Sequence, residues 1–349
     1  MKPFRQHAER PLRSGPLELL PFGPFSWPEC LVYLGRSELE IMHRVEDGRV
    51  CKAAELSGIP VLLELDGSSR PDKGKAAGPI RMPDADDGNA ATARSFAALR
   101  VSFPRGGDTP ELRAAAADYV REWFGLDEDL EPFYAMAMRD PLLGPVVSEH
   151  AGLRLIGIPD LFESLVWAVI GQQISLPFAY TMKNRLVETY GQRLDEQEVS
   201  DAETAPFYLF PRPARIAALT PDDLRPMQFS GRKAEYIIGI ARMMEEGRLS
   251  KAALLRMDEI EAREALLRIR GVGAWTADYV GMKCLRRPSA FPSADAGLHQ
   301  ALKIGLGLNR KPLPDEIARA AADWKSFEAY AVFYLWQSLL PGVPGDGGA

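Results

Sequence analysis

The feature that most constrains this chain is a pair of glycines between two apolar helical patterns, in Gly271-Val272-Gly273. One pattern ends near Ile269, and the next begins at Trp275 and continues with apolar residues spaced for one helix face. Two glycines one residue apart allow positive φ, a sharp turn and a close approach of the backbone to an outside group. The second helix then begins with free backbone N–H groups, which suit a phosphate. The sequence predicts a helix, a tight hairpin and a second helix.

The charge around the hairpin differs in sign from that of the whole chain. Residues 268–287 contain five basic side chains and one acidic one, a local charge of +4, whereas the 349-residue chain carries −6. An acidic protein can bind a nucleic acid through a local basic face. A helix–helix turn without a ligand is the alternative interpretation of the glycines alone.

A carboxylate follows the hairpin along the chain. The stretch 291–295, Phe-Pro-Ser-Ala-Asp, places Asp295 at the start of a third helix, 20 residues beyond Trp275. An N-cap would explain such an aspartate structurally. That role is compatible with a catalytic one, because a helix N-terminus favours an ionised carboxylate.

The order of the predicted elements gives the fold class α+β. One helix at 27–36 and five strands are predicted in the first part of the chain, the strands at 17–22, 39–46, 48–56, 60–67 and 96–103. They indicate an N-terminal antiparallel sheet domain, residues 1–108, with a flexible insertion at 68–95 that has no periodicity. From 109 to 342 the pattern is almost entirely helical, beginning with Thr109 as cap and Pro110 at the first position. Residues 343–349 are expected to be a disordered tail.

Composition excludes several classes of protein. Cys30, Cys51 and Cys284 lie far apart and fit neither a disulfide framework nor a metal site of CxxC spacing. The four histidines have no metal-binding spacing either. No run of 18 apolar residues exists, so no membrane span is expected. A reducing, cytoplasmic environment is the simplest expectation, with association to the nucleoid if the source is bacterial.

The hairpin, Asp295 and the stretch from Phe162-Glu163 to Ile170-Gly171-Gln172-Gln173-Ile174-Ser175 resemble one known group of proteins. They resemble the helix-hairpin-helix DNA glycosylases, and most closely the alkylbase glycosylases of the 3-methyladenine DNA glycosylase II type. The resemblance implies a base-excision repair hydrolase that flips out an alkylated base and leaves an abasic site, with Asp295 as the catalytic carboxylate. Relatives that cleave the strand carry a Schiff-base lysine where this chain has Trp275, so the resemblance implies a monofunctional enzyme.

The resemblance also assigns the remaining site residues. It implies a base pocket of Trp275, Tyr279, Trp336 and Phe162. It implies DNA contacts from Gly271, Val272, Gly273, Ala274, Thr276, Gln172, Gln173, Ser175, Arg232 and Lys233. Gln173 takes the position of the wedge that fills the gap left by the flipped base, where the family can carry leucine. The spacing from Pro292 to Asp295 is one residue longer than a Pro-x-Asp arrangement.

The partner implied is double-stranded DNA containing damaged bases, and the chain is expected to act as a monomer. No catalytic metal or cofactor is implied, apart from a monovalent cation that the hairpin carbonyls can hold. Two alternatives remain open at this point: a glycosylase for another lesion, such as 8-oxoguanine or uracil, and a non-catalytic helix-hairpin-helix DNA-binding protein.

Overall fold

The computed structural model describes residues 15–68, 98–105, 108–194 and 206–341. The strands are β1 (Leu17–Leu19), β2 (Arg44–Glu46), β3 (Arg49–Leu56), β4 (Ile59–Ser68), β5 (Ala98–Ser102), β6 (Gln192–Leu194) and β7 (Phe207–Leu209). The helices are α1 (Trp27–Leu34), α2 (Pro110–Phe124), α3 (Glu131–Ala137), α4 (Leu143–Glu149), α5 (Leu161–Gly171), α6 (Leu176–Tyr190), α7 (Pro213–Ala217), α8 (Pro221–Leu224), α9 (Gly231–Glu245), α10 (Lys251–Leu255), α11 (Glu259–Leu267), α12 (Ala274–Lys283), α13 (Ala296–Gly305), α14 (Pro314–Ala320) and α15 (Glu328–Gln337). The predicted insertion 68–95 and tail 343–349 lie outside the described residues, apart from Ser68.

The N-terminal sheet is antiparallel throughout, in the strand order β1-β5-β4-β3-β2, which confirms the predicted α+β fold. Two predicted strands were too long: β1 covers 17–19 instead of 17–22, and β2 covers 44–46 instead of 39–46. For β2 the reason is local, because the Glu40 carboxylate accepts a hydrogen bond from the Met42 N–H at 2.7 Å and turns the chain before the strand begins. A side chain that bonds its neighbouring backbone competes with strand pairing.

The first long helix begins and ends as its sequence predicts. The Thr109 hydroxyl accepts from the Leu112 N–H at 3.3 Å, and Pro110 occupies the first helical position. Gly125 ends α2 in the left-handed conformation, with φ of 59°. The predicted junction near Ser175 is also present, since α5 ends at Gly171 and α6 begins after Ser175.

Two large apolar cores organise the described residues. One joins the N-terminal sheet to α2, α3 and α4 and to the C-terminal helices α13 and α15. The other lies among α5, α6, α9, α11 and α12. The first core crosses the predicted boundary at residue 108, so the N-terminal sheet packs as part of the body of the protein. None of the helices in the described ranges is both long and apolar enough to cross a membrane.

Buried polar contacts connect the N-terminal segment to the helical part. Glu29 of α1 accepts from His150 Nδ1 and from Gln337 Nε2, each at 2.9 Å. Arg154 is fully buried and donates to main-chain carbonyls that include Pro24 at 2.9 Å and Gly125 at 3.1 Å. Removing one partner would leave a buried polar group unsatisfied, so these contacts fix how the two parts meet.

Candidate active site

The hairpin connects α11 to α12 as predicted, but its two glycines differ. Gly271 has φ of +92°, and an added Cβ there would lie 2.2 Å from Cγ of Tyr236. Gly273 caps α12 with φ of −93°, and no atom outside its chain neighbours lies within 4 Å of an added Cβ. Of the two glycines that allow positive φ, only Gly271 adopts it, and the expectation was wrong for Gly273. Gly271 forms the turn, and Gly273 leaves an open, exposed backbone at the helix N-terminus.

Gln172, predicted to contact DNA, also holds the hairpin. Its Nε2 donates to the Gly271 carbonyl and to Thr276 Oγ1, both at 3.0 Å. Thr276 is 1% exposed and Val272 is also buried. Thr276 and Val272 therefore support the hairpin from inside, and Gln172 is half-buried beside them.

The exposed residues near this contact are Gln173, Ser175, Gly273 and Ala274. Gln173 has φ of +57°, an uncommon conformation for glutamine, in the short connection between α5 and α6. An uncommon backbone conformation at an exposed polar residue is a pointer to function. Of the two exposed residues in this connection, Gln173 and Ser175, only Gln173 has a positive φ.

The two predicted basic contacts on α9 behave differently. Arg232 is exposed. Lys233 is half-buried, and its Nζ donates to the Ile170 carbonyl at 2.7 Å near the end of α5. Burial lowers the pKa of Lys233. A cation at this helix C-terminus stabilises the last carbonyls of α5.

The local charge of +4 does not form one basic surface. Lys283 is buried and donates to the Tyr33 hydroxyl at 3.0 Å, and Arg286 pairs with Glu128. Arg287 donates to main-chain carbonyls at Leu254 and Met257. Only Arg268 and Arg270 among the five are exposed, and each pairs with a glutamate. Counting charges along the sequence overstated the basic face.

Asp295 lies at the N-terminus of α13 with both carboxylate oxygens engaged. Oδ1 accepts from the Leu298 N–H at 2.9 Å and from Trp336 Nε1 at 2.8 Å. Oδ2 accepts from Trp275 Nε1 at 3.0 Å. Both indoles thus fix the orientation of one half-buried carboxylate, while its N-cap bond adds the favourable field of the helix.

Three of the four predicted pocket aromatics lie together beside Asp295. The ring centroids of Trp275 and Tyr279 are 5.3 Å apart, and those of Tyr279 and Trp336 are 6.2 Å apart. Gly297 permits this arrangement, since an added Cβ would lie 2.9 Å from Cδ1 of Trp336 and 3.1 Å from Oδ1 of Asp295. The sequence Asp-Ala-Gly therefore fits both the cap and the approach of the indole.

Phe162, the fourth predicted aromatic, lies elsewhere. It is 1% exposed in the core around α5, and its ring packs edge-on against Phe210 at 5.9 Å. Its ring contributes no surface to the group around Asp295.

A cleft behind Tyr279 contains residues that the sequence did not indicate. Its volume is about 50 Å³, and its walls include Tyr279 and, from the N-terminal domain, Tyr33, Arg36 and Glu40. No local motif marks these residues, and more than 230 positions separate them from Tyr279 along the chain. Only the packing of the sheet domain against α12 brings them together. Within the described ranges, no group of three or more His, Cys, Asp or Glu side chains is placed to hold a metal ion.

Comparison with known proteins agrees with this geometry. Residues 166–326 match the family model described as HhH-GPD superfamily base excision DNA repair protein. The chain is 48% identical to the DNA-3-methyladenine glycosylase of Bacillus subtilis, over 65% of this chain and 73% of that protein. It is 31% identical to DNA-3-methyladenine glycosylase 2 of Escherichia coli, over 56% of this chain and 63% of that protein.

The fold has relatives among solved structures. A 3-methyladenine DNA-glycosylase from Archaeoglobus fulgidus aligns with a TM-score of 0.71 at 22% identity, covering 92% of this chain and 97% of that one. An 8-oxoguanine glycosylase/lyase from Clostridium acetobutylicum, solved with DNA, aligns with a TM-score of 0.64 at 16% identity, covering 93% and 97% of the two chains. At these identities the likeness concerns the fold. The hairpin, the aspartate that follows it and these matches together show that the chain belongs to the HhH-GPD superfamily of base excision DNA repair proteins.

Proposed function

We propose that this protein is a monofunctional DNA glycosylase that removes alkylated bases, 3-methyladenine and related lesions, from double-stranded DNA. The observation that carries the proposal is the Asp295 carboxylate, held by two indole N–H groups at a helix N-terminus beside the hairpin. The relatives named as DNA-3-methyladenine glycosylases support the substrate class.

Asp295 would act on the sugar of a nucleotide rotated out of the duplex. The bond between C1′ and the base nitrogen breaks, its electron pair leaves with the base, and positive charge develops on the sugar. A fixed carboxylate beside C1′ stabilises that charge and accepts a proton from the attacking water. The water oxygen bonds to C1′, and the products are the free base and an abasic site.

The aromatic group would hold the base. An alkylated purine with a positive charge is already a good leaving group, so it needs a flat, electron-rich surface more than a strong acid. Trp275, Tyr279 and Trp336 supply such a surface beside Asp295, and stacking there includes cation–π attraction. Trp275 has no nucleophilic amine, and its N–H is used to orient the carboxylate. Strand cleavage through a Schiff base is therefore not expected.

DNA would bind at the hairpin, and the connection between α5 and α6 would insert into the duplex. The exposed backbone at Gly273 and Ala274 suits a phosphate at the start of α12, with or without a monovalent cation on the turn carbonyls. Gln173, exposed in a left-handed conformation, is placed to fill the gap left by the flipped base. A single chain contains all these parts, so we propose that it acts as a monomer.

The test is base release from methylated duplex DNA under single-turnover conditions, comparing Asp295→Asn with the wild type. Asparagine is also a good N-cap, so the fold should be kept while the charge is lost. We expect base release to fall by about 10²-fold or more, the loss typical of one electrostatic stabiliser. Binding to a duplex with a stable abasic analogue should persist.

The matched control is Asp258→Asn. Asp258 is the N-cap of α11, exposed, and accepts from the Glu261 N–H at 2.8 Å. Its substitution should leave base release unchanged. Excision by Asp295→Asn at nearly the wild-type rate would remove Asp295 from the reaction, and a wild-type protein that releases no methylated base would overturn the proposed function.

A further inference from the structure

Several charged side chains line the cleft behind Tyr279, and two of them from the N-terminal domain, Arg36 and Glu40, are of opposite sign. Arg36 and Glu40 both line this cleft, yet no ion pair within 4.0 Å joins them in the described structure. Tyr279 also packs between Trp275 and Trp336 at the predicted base pocket. The Tyr279 ring is therefore common to the wall of the cleft and to the aromatic surface.

The Arg36 guanidinium group is held in one position, but its hydrogen-bonding capacity is only partly used. Its guanidinium donates to the Tyr33 carbonyl at 2.6 Å and lies 4.0 Å from the centre of the Tyr33 ring. These contacts hold the side chain in one orientation while using one of its five N–H donors. Among the described residues, the other donors of Arg36 have no protein acceptor.

Glu40 is ionised and also has unused capacity. Its Oε1 accepts from the Met42 N–H at 2.7 Å and from Lys183 Nζ at 3.4 Å. Burial alone would raise the pKa of Glu40, but the charges of Lys183 and His43 and the Met42 N–H outweigh burial and lower the pKa to about 2. In the part of the chain that the structure describes, Oε2 accepts from no protein donor.

We propose that Arg36 and Glu40 read the edge of the flipped base and give the enzyme a preference for 6-oxopurine lesions, such as 7-alkylguanine, over 6-aminopurine lesions. This inference rests on the proposed glycosylase function. Arginine only donates hydrogen bonds and an ionised glutamate only accepts them. A guanine base offers the O6 acceptor to Arg36 and its N1–H and N2–H donors to Glu40.

An adenine base presents the opposite pattern. Its 6-position is an N–H donor, which would face the Arg36 donors without a partner. Alkylation at N7 places positive charge on the five-membered ring and makes the N1–H of guanine a stronger donor, which strengthens its bond to Glu40. A volume of about 50 Å³ holds only a few water molecules, so the cleft admits the edge of a base while its ring stacks on the aromatic surface.

The experiment uses duplex DNA methylated with dimethyl sulfate, which contains both 7-methylguanine and 3-methyladenine. The two released bases are quantified from the same single-turnover reaction, and each variant is compared with the wild type so that their different intrinsic stabilities cancel. For Arg36→Met we expect the ratio of 7-methylguanine to 3-methyladenine released to fall by about tenfold, the discrimination typical of one good pair of base contacts. Glu40→Gln should lower the ratio by a smaller factor, because a rotated amide can still accept.

A second measurement does not depend on catalysis. Free 7-methylguanine and free 3-methyladenine are used as product inhibitors, and Arg36→Met should weaken inhibition by the former selectively. Arg49→Met is the control, because Arg49 belongs to the same N-terminal domain, is 55% exposed, pairs with Glu64 and does not line the cleft. Arg36→Lys keeps a cation at the Tyr33 ring and should give an intermediate ratio.

The outcomes separate the two proposals. Suppose that release of both bases slows by the same factor in Arg36→Met, while Arg36→Lys and the inhibition constants show the selectivity of the wild type. That result would mean that Arg36 has a structural role only, and it would overturn the inference without affecting the proposed function. An unchanged ratio in a folded Arg36→Met variant would do the same. If the wild-type protein releases neither base, the proposed function falls and the inference falls with it.

Discussion

A change of charge at Gly273 tests the hairpin as a phosphate-binding site without damaging the fold. Aspartate and asparagine are both favourable N-cap residues, and Gly273 caps α12 in an extended conformation that any residue adopts. A Cβ added at this position would meet no atom within 4 Å outside the neighbouring residues. Gly273→Asp and Gly273→Asn should therefore both fold, with melting temperatures close to that of the wild type.

The two variants differ by one charge at the point where a phosphate would sit. Two like charges about 4 Å apart repel by about 1 kcal/mol in water and about 4 kcal/mol at the effective dielectric constant typical of a protein surface. We expect Gly273→Asp to bind duplex DNA about 10-fold or more weakly than Gly273→Asn, whether or not the DNA is damaged, because phosphate contacts carry no sequence information. Loss of one phosphate contact should also reduce the slope of log K against log salt by about 0.9.

The assay is duplex affinity over a range of salt concentrations, with and without an abasic analogue, alongside thermal melting. Gly271→Ala provides the contrast: its φ of +92° and the 2.2 Å approach to Tyr236 should destabilise the fold itself by about 2–4 kcal/mol. If the folded Gly273→Asp and Gly273→Asn proteins have equal affinities for duplex DNA and equal salt slopes, the hairpin is not a phosphate-binding site.

Two further predictions follow from the amines and the histidines. Because Trp275 has no amine, borohydride should trap no covalent enzyme–DNA adduct, and strand breaks should appear only after alkali; if an adduct forms, Lys233→Met shows whether that half-buried amine is responsible. Burial and the charge of Lys52 lower the pKa of His43 to about 4 although Glu40 opposes them, whereas the unfolded chain titrates near the usual value of about 6.5. Between these pH values the unfolded state binds more protons, so the free energy of unfolding should fall by about 3 kcal/mol on acidification. His43→Asn should remove most of that fall. Urea titrations of both proteins from pH 7 to 4 measure it. Parallel pH profiles for the two proteins would contradict this assignment.

Structural features that a few neighbouring residues determine were predictable from the sequence. The Thr109 cap, the break at Gly271 and the position of Asp295 at a helix start each depend on neighbouring residues, and the structure has all three. The strand period of two likewise located β3 and β4 within a residue or two. Local pattern is sufficient where the backbone of a few residues decides the structure.

Features that depend on distant parts of the chain were not predictable. Nothing near Gln172 in the sequence indicates that its amide donates to the Gly271 carbonyl, 99 positions further along the chain. Three of the basic side chains near the hairpin turn inward because Tyr33, Glu128 and the α10–α11 connection lie there. No sequence motif marks Arg36 and Glu40, because only the tertiary fold places them in one cleft with Tyr279.

The pairing of β4 with β5 has a consequence for how this protein can vary. Ser68 and Ala98 are register partners, so the two ends of the sequence between them lie side by side in the sheet. The free energy of closing a loop rises only slowly with its length, so the sheet tolerates many lengths of intervening sequence. Natural insertions and deletions can accumulate between these two residues while the ladder on either side keeps its register. The same junction is a place to graft a fluorophore or an affinity tag, with the catalytic half of the molecule left undisturbed.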